Sequence, residues 1–225
     1  MGKKVLTVST SADALGGDAT GLWLEELAAP YLILKSKGYD VTIASIKGGK
    51  IPLDPTSMKS ENIVGHAQTF LDSKEAMALL ENSVPIAGLK ADDYDAIFIP
   101  GGHGVAVDGP TDLTLRTLIS DFAAKGKIVS AVCHGPVAFS GPEVNGKPLV
   151  AGKRVTCFSD SEENTVGKSH LVPFLPEARL RELGGLYEKG DDWTSHVVVD
   201  GKLITGQNPQ SSEKIGEAIA EALAA

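Results

Sequence analysis

Cysteine is scarce in this sequence, which has two, Cys133 and Cys157, in 225 residues. Two thiols cannot form the disulfide framework of a small secreted protein, and they suit a reducing compartment. Long apolar runs are also missing, and no stretch approaches the roughly 18 residues of a membrane-spanning helix. The apolar stretch from Val5 to Val8 is too short for the core of a signal peptide. We therefore expect a cytoplasmic protein with no membrane partner.

Basic residues are outnumbered by acidic ones. The chain has 21 Lys and Arg against 29 Asp and Glu, a formal net charge of -8, and no basic run to offset it. An acidic surface repels phosphate backbones, so nucleic acid is excluded as an expected partner. The hydrophobic share of 42% and the charged share of 22% are those of an ordinary globular protein.

The N-terminal pattern predicts a strand, a helix and a second strand. Lys4–Ser9 and Asp40–Ser45 are rich in strand-forming residues, and apolar residues recur between Leu22 and Lys37 before the helix-stopping Gly38. A β-α-β order over this length is typical of a right-handed crossover in a parallel sheet. The sequence thus predicts an α/β fold with a mostly parallel sheet.

The same kind of pattern continues to the C-terminus. Asp200-Gly201 predicts the turn of a hairpin between strands at 196–199 and 202–205. Further strands are predicted at 95–100, 127–132 and 154–156, and helices at 66–71, 74–80, 111–124, 177–183 and 212–224. Since no internal repeat or linker interrupts this order, we expect one domain over residues 1–225.

Functional groups in an open α/β sheet cluster at the carboxyl ends of the strands. Three of the predicted strands end in unusual sequences: Gly101-Gly102-His103-Gly104, Cys133-His134-Gly135-Pro136, and Cys157 followed by the polar segment 159–163. These three strand ends are the candidate site.

Cys133 has the sequence context of a nucleophile. Ala131-Val132-Cys133-His134-Gly135 has the small-x-nucleophile-x-Gly form of a strand-to-helix elbow, in which the small residues permit a tight turn with strained backbone angles at the nucleophile. Amides at the start of the following helix are expected to lower the pKa of the thiol. A buried structural cysteine is the alternative.

The glycine-rich turn at 101–104 is a weaker signal. Glycines allow backbone N–H groups to approach a bound carbonyl oxygen, as an oxyanion hole requires. We therefore assign Gly102, His103 and Gly104 as candidate substrate- or oxyanion-binding residues. A plain tight turn is the alternative interpretation of the same residues.

Taken together, these motifs resemble the DJ-1/PfpI superfamily, and most closely its Hsp31-like branch of glutathione-independent glyoxalases. The matching segments run through most of the chain: 25–31, 91–95, 100–104, 131–136, 152–156, Phe158, Asp160, Glu163 and 205–209. The resemblance implies a flavodoxin-like three-layer sandwich, with helices on both faces of the sheet and a C-terminal hairpin.

The resemblance also implies catalytic roles. Cys133 is expected to be the nucleophile, His134 its proton-transfer partner, and Glu163 the group that orients that histidine. Glu26 is expected to have a raised pKa and to donate a hydrogen bond to the sulfur, since two anions in contact repel each other. Their sequence neighbours, Glu25 and Glu162, are expected to be solvated surface residues.

The function that follows is the conversion of methylglyoxal or glyoxal to the 2-hydroxy acid without glutathione, a lyase of the glyoxalase III or D-lactate dehydratase type. A stress-related holdase chaperone, a protein deglycase, and a cysteine-dependent amidase or peptidase are the alternatives. Glutamine amidotransferases usually place a His-x-Glu pair downstream of the cysteine, and neither His170 nor His196 is followed by one.

No cofactor is expected. His66, His170 and His196 have no carboxylate or cysteine at ligand spacing, so no metal site is predicted, and Cys157 is expected to be a packed core residue. The expected partner is a small 2-oxoaldehyde substrate, and the resemblance alone implies a homodimer.

Overall fold

A seven-stranded sheet forms the centre of the computed structural model, which describes residues 2–63 and 65–225. In chain order its strands are β1 (Lys4–Ser9), β2 (Asp40–Ser45), β3 (Val84–Pro85), β4 (Ala96–Ile99), β5 (Ile128–Val132), β6 (Val197–Asp200) and β7 (Leu203–Gly206). Across the sheet the order is β6-β7-β5-β4-β1-β2-β3, and all neighbours are parallel except the hairpin pair β6 and β7.

Eight α-helices accompany the sheet in the described part of the chain. They are α1 (Leu24–Ser36), α2 (His66–Asp72), α3 (Lys74–Glu81), α4 (Gly104–Asp108), α5 (Leu113–Ala124), α6 (Asp160–Val166), α7 (Pro176–Glu182) and α8 (Ser212–Ala224). None of the helices described is long and apolar enough to cross a bilayer.

Successive residues of the central strands point to opposite faces of the sheet, and each face has its own apolar core. Val5 of β1 and Phe98 of β4 pack with α1, α2, α3 and α8, whereas Leu6 and Ile97 pack with α5 and α7. Because both faces are covered, these strands are almost continuously apolar. The three-layer, flavodoxin-like sandwich expected from the resemblance is confirmed.

Local signals account for most of the element boundaries. β1, β2 and α8 have the bounds that the sequence predicts, and the chain leaves α1 at Gly38, whose φ of +78° is left-handed. Asp112 begins α5 as its N-cap, since its side chain accepts a hydrogen bond from the Leu115 N–H at 2.8 Å.

One predicted strand lies elsewhere. Arg154–Val155 is not part of the central sheet; it pairs in parallel with Leu186–Tyr187 in a separate two-stranded sheet. The place beside β5 is instead taken by β7, whose four residues extend the sheet. The segment after Arg154–Val155 nevertheless reaches the site, because the Phe158 N–H donates to the Cys133 carbonyl at 2.9 Å.

Candidate active site

Cys133 lies at the sharp turn that follows β5. Its φ of +58° is left-handed, a costly backbone conformation for a residue with a Cβ and one often found at functional sites. Its N–H donates to the Gly206 carbonyl at 2.9 Å, which ties the turn to the end of β7. A short 3₁₀-helix, Gly135–Ser140, follows in place of the expected α-helix. The elbow predicted from the sequence is confirmed.

The elbow glycine is required by close packing. A Cβ placed on Gly135 would lie 2.2 Å from the carbonyl oxygen of Ile99 at the end of β4. Side chains larger than hydrogen are therefore excluded at this position, and the turn brings the backbone of the Cys133 loop against the neighbouring strand end.

His134 connects the sulfur to a carboxylate. Its Nδ1 lies 3.3 Å from Cys133 Sγ, and its Nε2 lies 2.5 Å from Glu163 Oε2. An ionised carboxylate can only accept hydrogen bonds, so Nε2 carries the proton and Nδ1 presents a lone pair to the thiol. This is the geometry of a nucleophile, a general base and an orienting acid.

Glu163 serves two imidazoles. Its second oxygen, Oε1, accepts a hydrogen bond from His103 Nε2 at 2.7 Å, and the rings of His103 and His134 lie 4.0 Å apart. Burial opposes ionisation of Glu163, but the hydrogen bonds from His103 and His134 hold the pKa of its carboxyl well below the ordinary value. Burial, together with repulsion from His134, lowers the pKa of His103 to about 4, so His103 is neutral at physiological pH.

Glu26 approaches the sulfur from α1. It is completely buried, and burial raises its pKa to about 8. Its Oε2 accepts a hydrogen bond from the Gly101 N–H at 2.7 Å. Among the described residues its Oε1 has no hydrogen-bond partner, and the nearby Cys133 thiol acts against the rise in the pKa of this carboxyl. A protonated Oε1 can donate to the sulfur, as the resemblance implies.

The expected low pKa of the thiol is not what the structure shows. Burial, and then the charge that Glu26 carries when it is ionised, raise the pKa of Cys133 well above the ordinary value, and the amides of Gly102 and His134, which act to lower it, do not offset them. Cys133 is only 4% exposed, so its thiolate lacks hydration. The resting group is a thiol, and an ionised sulfur requires removal of its proton by a neighbour.

The glycine-rich turn contributes unequally to the site. The Gly102 amide faces the sulfur and His103 binds Glu163, whereas the Gly104 N–H donates to the Gly21 carbonyl at 3.3 Å. Gly104 begins α4 and does not line the cavity around Cys133. The geometry does not support Gly104 as an oxyanion-binding residue, since its N–H is already engaged, and that role stays a prediction.

Cys133 opens into a cavity of about 200 Å³. The cavity is lined by two tryptophans, Phe158, site residues and loop residues from distant parts of the chain: Trp23, Asn62, Gly102, His103, Cys133, His134, Phe158, Val166, Trp193, Pro209 and Gln210. Its volume is below the roughly 300–1,000 Å³ of sites that hold drug-sized ligands. A small substrate fits this space.

Glu162 is not the solvated residue that the sequence suggested. It is fully buried and completes a capping box with Ser159 at the start of α6. Its oxygens also accept hydrogen bonds from Asn208 Nδ2 at 2.8 Å and Gln207 Nε2 at 3.1 Å. A Ser-x-x-Glu signature was present in the sequence and could have predicted both α6 and this role.

Glu25 and Cys157 are both less exposed to solvent than a surface residue. Glu25 is half-buried, with Oε2 accepting from the Ala67 N–H at 2.7 Å and Oε1 lying 3.4 Å from His66 Nδ1, so it is not a freely solvated residue. Cys157 is a packed core residue, as predicted; it is fully buried, and burial raises its pKa well above the ordinary value.

His103, His134 and Glu163 also have the composition of a metal-binding group. Their N···O separations of 2.7 and 2.5 Å are hydrogen-bond distances, however, and ligand atoms around a tetrahedral zinc ion lie about 3.3 Å apart at ordinary bond lengths. We therefore interpret the cluster as a hydrogen-bonded network through one carboxylate.

Comparisons with known proteins identify the family. The model of the DJ-1/PfpI family matches residues 19–222. Glyoxalase 3 of Candida albicans is 30% identical over 95% of this chain and 95% of that protein, and the protein/nucleic acid deglycase HchA of Pseudomonas aeruginosa is 30% identical over 99% of this chain and 81% of that protein.

Solved structures are similar to this chain over nearly its whole length. The Rapid Encystment Protein of 24 kDa from Francisella tularensis superposes with a TM-score of 0.93 at 38% identity, covering 98% of this chain and 99% of that one. Glyoxalase III of Candida albicans superposes with a TM-score of 0.88 at 31% identity, covering 98% and 97%.

Proposed function

The chain belongs to the DJ-1/PfpI family, and on this basis we propose that it is a glutathione-independent glyoxalase that converts methylglyoxal to D-lactate, a lyase of the glyoxalase III type. The observation that carries the proposal is the position of Cys133: its sulfur borders a small cavity and lies 3.3 Å from an imidazole that is in turn bound to a buried carboxylate. No external cofactor is required by this chemistry.

The first step is addition of the sulfur to the aldehyde. His134 Nδ1 removes the thiol proton, an S–C bond forms at C1 of methylglyoxal, and the aldehyde oxygen takes up a proton to give a hemithioacetal. Glu163 stabilises the protonated imidazole, because it is held ionised by its two histidine partners. Since the resting thiol has a raised pKa, proton removal and attack are expected to occur together.

The second step moves hydrogen between the two carbons. A base removes the C1 proton, and the C2 oxygen is protonated, to give an enediol. His134 is the candidate base, because Glu26 keeps its own proton up to a pH of about 8. Protonation at C2, with loss of the C1 hydroxyl proton, then gives a thioester in which C1 has been oxidised and C2 reduced. Hydrolysis by water breaks the S–C bond, releases lactate and restores the thiol, so that overall methylglyoxal and water give lactate.

Glu26, Gly102 and His103 are proposed to assist the sulfur and the oxygens. Glu26, protonated up to a pH of about 8, donates to the sulfur without adding a second negative charge. The Gly102 amide is supported as an oxyanion donor because it already faces the sulfur, where the aldehyde oxygen would lie. His103 is supported as a cavity residue that helps to keep Glu163 ionised.

The proposal is tested by incubating the purified protein with methylglyoxal in D₂O without any added thiol. We expect D-lactate, measured with a stereospecific lactate dehydrogenase, to account for the methylglyoxal consumed. Because the enediol is reprotonated from solvent-exchanged groups, NMR should find deuterium at C2. Lactate that keeps the original C1 hydrogen at C2 would indicate a direct hydride shift and contradict the enediol step.

A protein deglycase is the second candidate, since a relative of similar identity carries that name. It would use the same cysteine on an adduct already attached to an amino group. Turnover of free methylglyoxal that does not depend on added amine, measured alongside release from a glycated peptide, favours the glyoxalase. The holdase and the amidase or peptidase remain predictions for direct assay with an unfolding client and with amide substrates.

The setting of the enzyme is also a proposal. We propose that residues 1–225 form one domain, that the enzyme acts in the cytoplasm in the defence against reactive aldehydes during stress, and that it is a homodimer. The family match over residues 19–222 and the two unpaired cysteines support the first two points. The dimer rests on the resemblance, and sedimentation analysis tests it.

A further inference from the structure

Trp23 and Trp193 are the two tryptophans of the chain, and both line the cavity around Cys133. Trp193 belongs to an aromatic row that leads outward from the catalytic imidazole. The Phe158 ring lies 4.6 Å from that of His134, and the Trp193 ring lies 5.7 Å from that of Phe158 in an edge-to-face arrangement. Because Trp193 is 38% exposed, it forms the outer end of this row.

The backbone of Trp193 is held in an unusual conformation. Its φ is +61°, in the left-handed region, where a large side chain is rarely found unless the surroundings fix it. The Trp193 N–H donates to Glu162 Oε1 at 2.9 Å. A buried carboxylate thus holds a residue that belongs to no helix or strand.

Glu162 links Trp193 to the catalytic helix. It lies next to Glu163 in α6, is completely buried, and is also bound by the side chains of Gln207 and Asn208. The loop is tied down a second time, since Asn208 Nδ2 donates to the Thr194 carbonyl at 2.8 Å. The tryptophan is therefore fixed relative to the groups that act on the substrate.

We propose that Trp193 is the specificity-determining wall of the cavity, which limits the enzyme to short aliphatic 2-oxoaldehydes, and that Glu162 is the residue that positions it. The inference rests on the proposed glyoxalase function and names its substrate class. In a cavity of about 200 Å³, the indole occupies the side toward solvent, where the substituent on C2 of a longer or aromatic 2-oxoaldehyde would extend.

The test compares methylglyoxal with phenylglyoxal as substrates of wild type and Trp193→Ala. We expect the ratio of kcat/KM for phenylglyoxal to that for methylglyoxal to rise about 10-fold or more in the variant, which is the scale of changes in an apolar pocket. Trp193→Phe should give a smaller rise, because part of the wall remains. An unchanged ratio in Trp193→Ala overturns the proposal.

Two further variants separate a wall from a merely structural residue. Leu186→Ala removes another exposed apolar side chain, 57% exposed and outside the cavity lining, and should leave the ratio unchanged. Glu162→Gln keeps the shape of the positioning residue but weakens its acceptors, and should shift the ratio in the same direction as Trp193→Ala. A lower melting temperature with no change of ratio would assign Glu162 a structural role only.

A binding measurement distinguishes failure of this inference from failure of the proposed function. In the double variant Trp23→Phe, Cys133→Ala, Trp193 is the remaining tryptophan, and its fluorescence should change saturably when methylglyoxal is added. If the wild type turns over methylglyoxal but the fluorescence of the double variant does not change, the proposed role of Trp193 is overturned and the proposed function stands. An inactive wild type overturns the proposed function, and a fluorescence response in the double variant would still place Trp193 at an occupied cavity.

Discussion

The chemistry proposed for Cys133 depends on where protons reside on its neighbours. Burial raises the pKa of the thiol and that of Glu26, while two histidines keep Glu163 ionised. The site therefore holds its negative charge on Glu163, beside the imidazole that must become positive, and not on the sulfur. In the proposed mechanism the thiol therefore loses its proton only during attack, when the substrate carbonyl accepts the electrons of the sulfur.

The raised pKa of Glu26 predicts an alkaline limb in the pH profile of activity. Its protonated form is the one proposed to donate to the sulfur, so kcat/KM should fall as pH rises through about 8. In Glu26→Gln the amide donates at every pH, and this limb should disappear or move to higher pH, with activity reduced several-fold by the changed geometry. Initial rates from about pH 6 to about pH 10 measure the pH dependence of kcat/KM. An unchanged limb in the variant would contradict the role given to Glu26.

The hydrogen bond between His103 and Glu163 predicts how activity is lost at low pH. Replacing it with Asn removes one of the two imidazoles that hold Glu163 ionised, so the pKa of Glu163 should rise toward its ordinary value. Activity should then be lost at a higher pH during acidification than in wild type. The measurement is kcat as a function of pH on the acid side. An acid limb at the same pH, with lower activity throughout, would assign His103 to the cavity wall alone.

The elements supply the positions of these groups. α6 is seven residues long and largely polar, so its stability depends on its cap more than on an apolar face. The Ser159 side chain accepts from the Glu162 N–H at 3.2 Å, and one turn of this helix carries both Glu162 and Glu163. The capped start of α6 thus sets the position of Glu163, the partner of His134.

Ser159→Ala tests this coupling. Loss of the cap should lower the free energy of unfolding by about 1 kcal/mol and also reduce kcat, because Glu163 is less firmly placed. Asp112→Ala is the matched control: it removes the cap of α5, a helix that is not among those lining the described cavity, and should cost similar stability with kcat unchanged. Urea unfolding and initial rates measure both. Equal losses of kcat in the two variants would contradict the coupling.

Element by element, local pattern accounted for much of the fold. β1, β2 and α8 were predicted with their observed bounds because apolar period and stop residues agree there. For Arg154–Val155 the pattern predicts a strand of the central sheet, which is wrong, since two or three strand-like residues do not indicate which strand they pair with. α6 was missed because it lacks an apolar period, although its Ser159–Glu162 capping signature was readable.

At the scale of the whole molecule, the sheet order explains why the site forms. β4, β5 and β7 are neighbours, so residues 101–103, 133–134 and 206–208 meet at one edge although they are far apart in the chain. That meeting point could be predicted from the strand ends. The outer wall of the cavity could not, because Trp193 reaches it from a loop that is held by the long-range hydrogen bonds to Glu162 and Asn208.

The buried Glu26 also predicts how stability depends on pH. The folded protein keeps this proton up to a pH of about 8, whereas the unfolded chain releases it near 4.5. Its contribution is therefore fully present below pH 4.5 and is lost as pH rises to about 8, by an amount of the order of a few kcal/mol. Glu26→Gln should flatten the loss across this window, measured by urea unfolding at several pH values.

The control for that prediction is Glu182→Gln, whose side chain is 69% exposed and should leave the pH dependence of stability as in wild type. If Glu26→Gln and Glu182→Gln lose stability with the same slope as wild type between pH 5 and 8, Glu26 is not protonated in the folded state, and its proposed role as a donor fails with it.

The most direct measurement uses the two cysteines as a matched pair. Both are buried, but Cys133 borders the cavity and Cys157 is packed in the core. Rates of D-lactate formation from methylglyoxal, without added thiol, should fall below detection in Cys133→Ala and stay within a few-fold of wild type in Cys157→Ala, with both variants folded by circular dichroism. Continued D-lactate formation by folded Cys133→Ala would contradict the account.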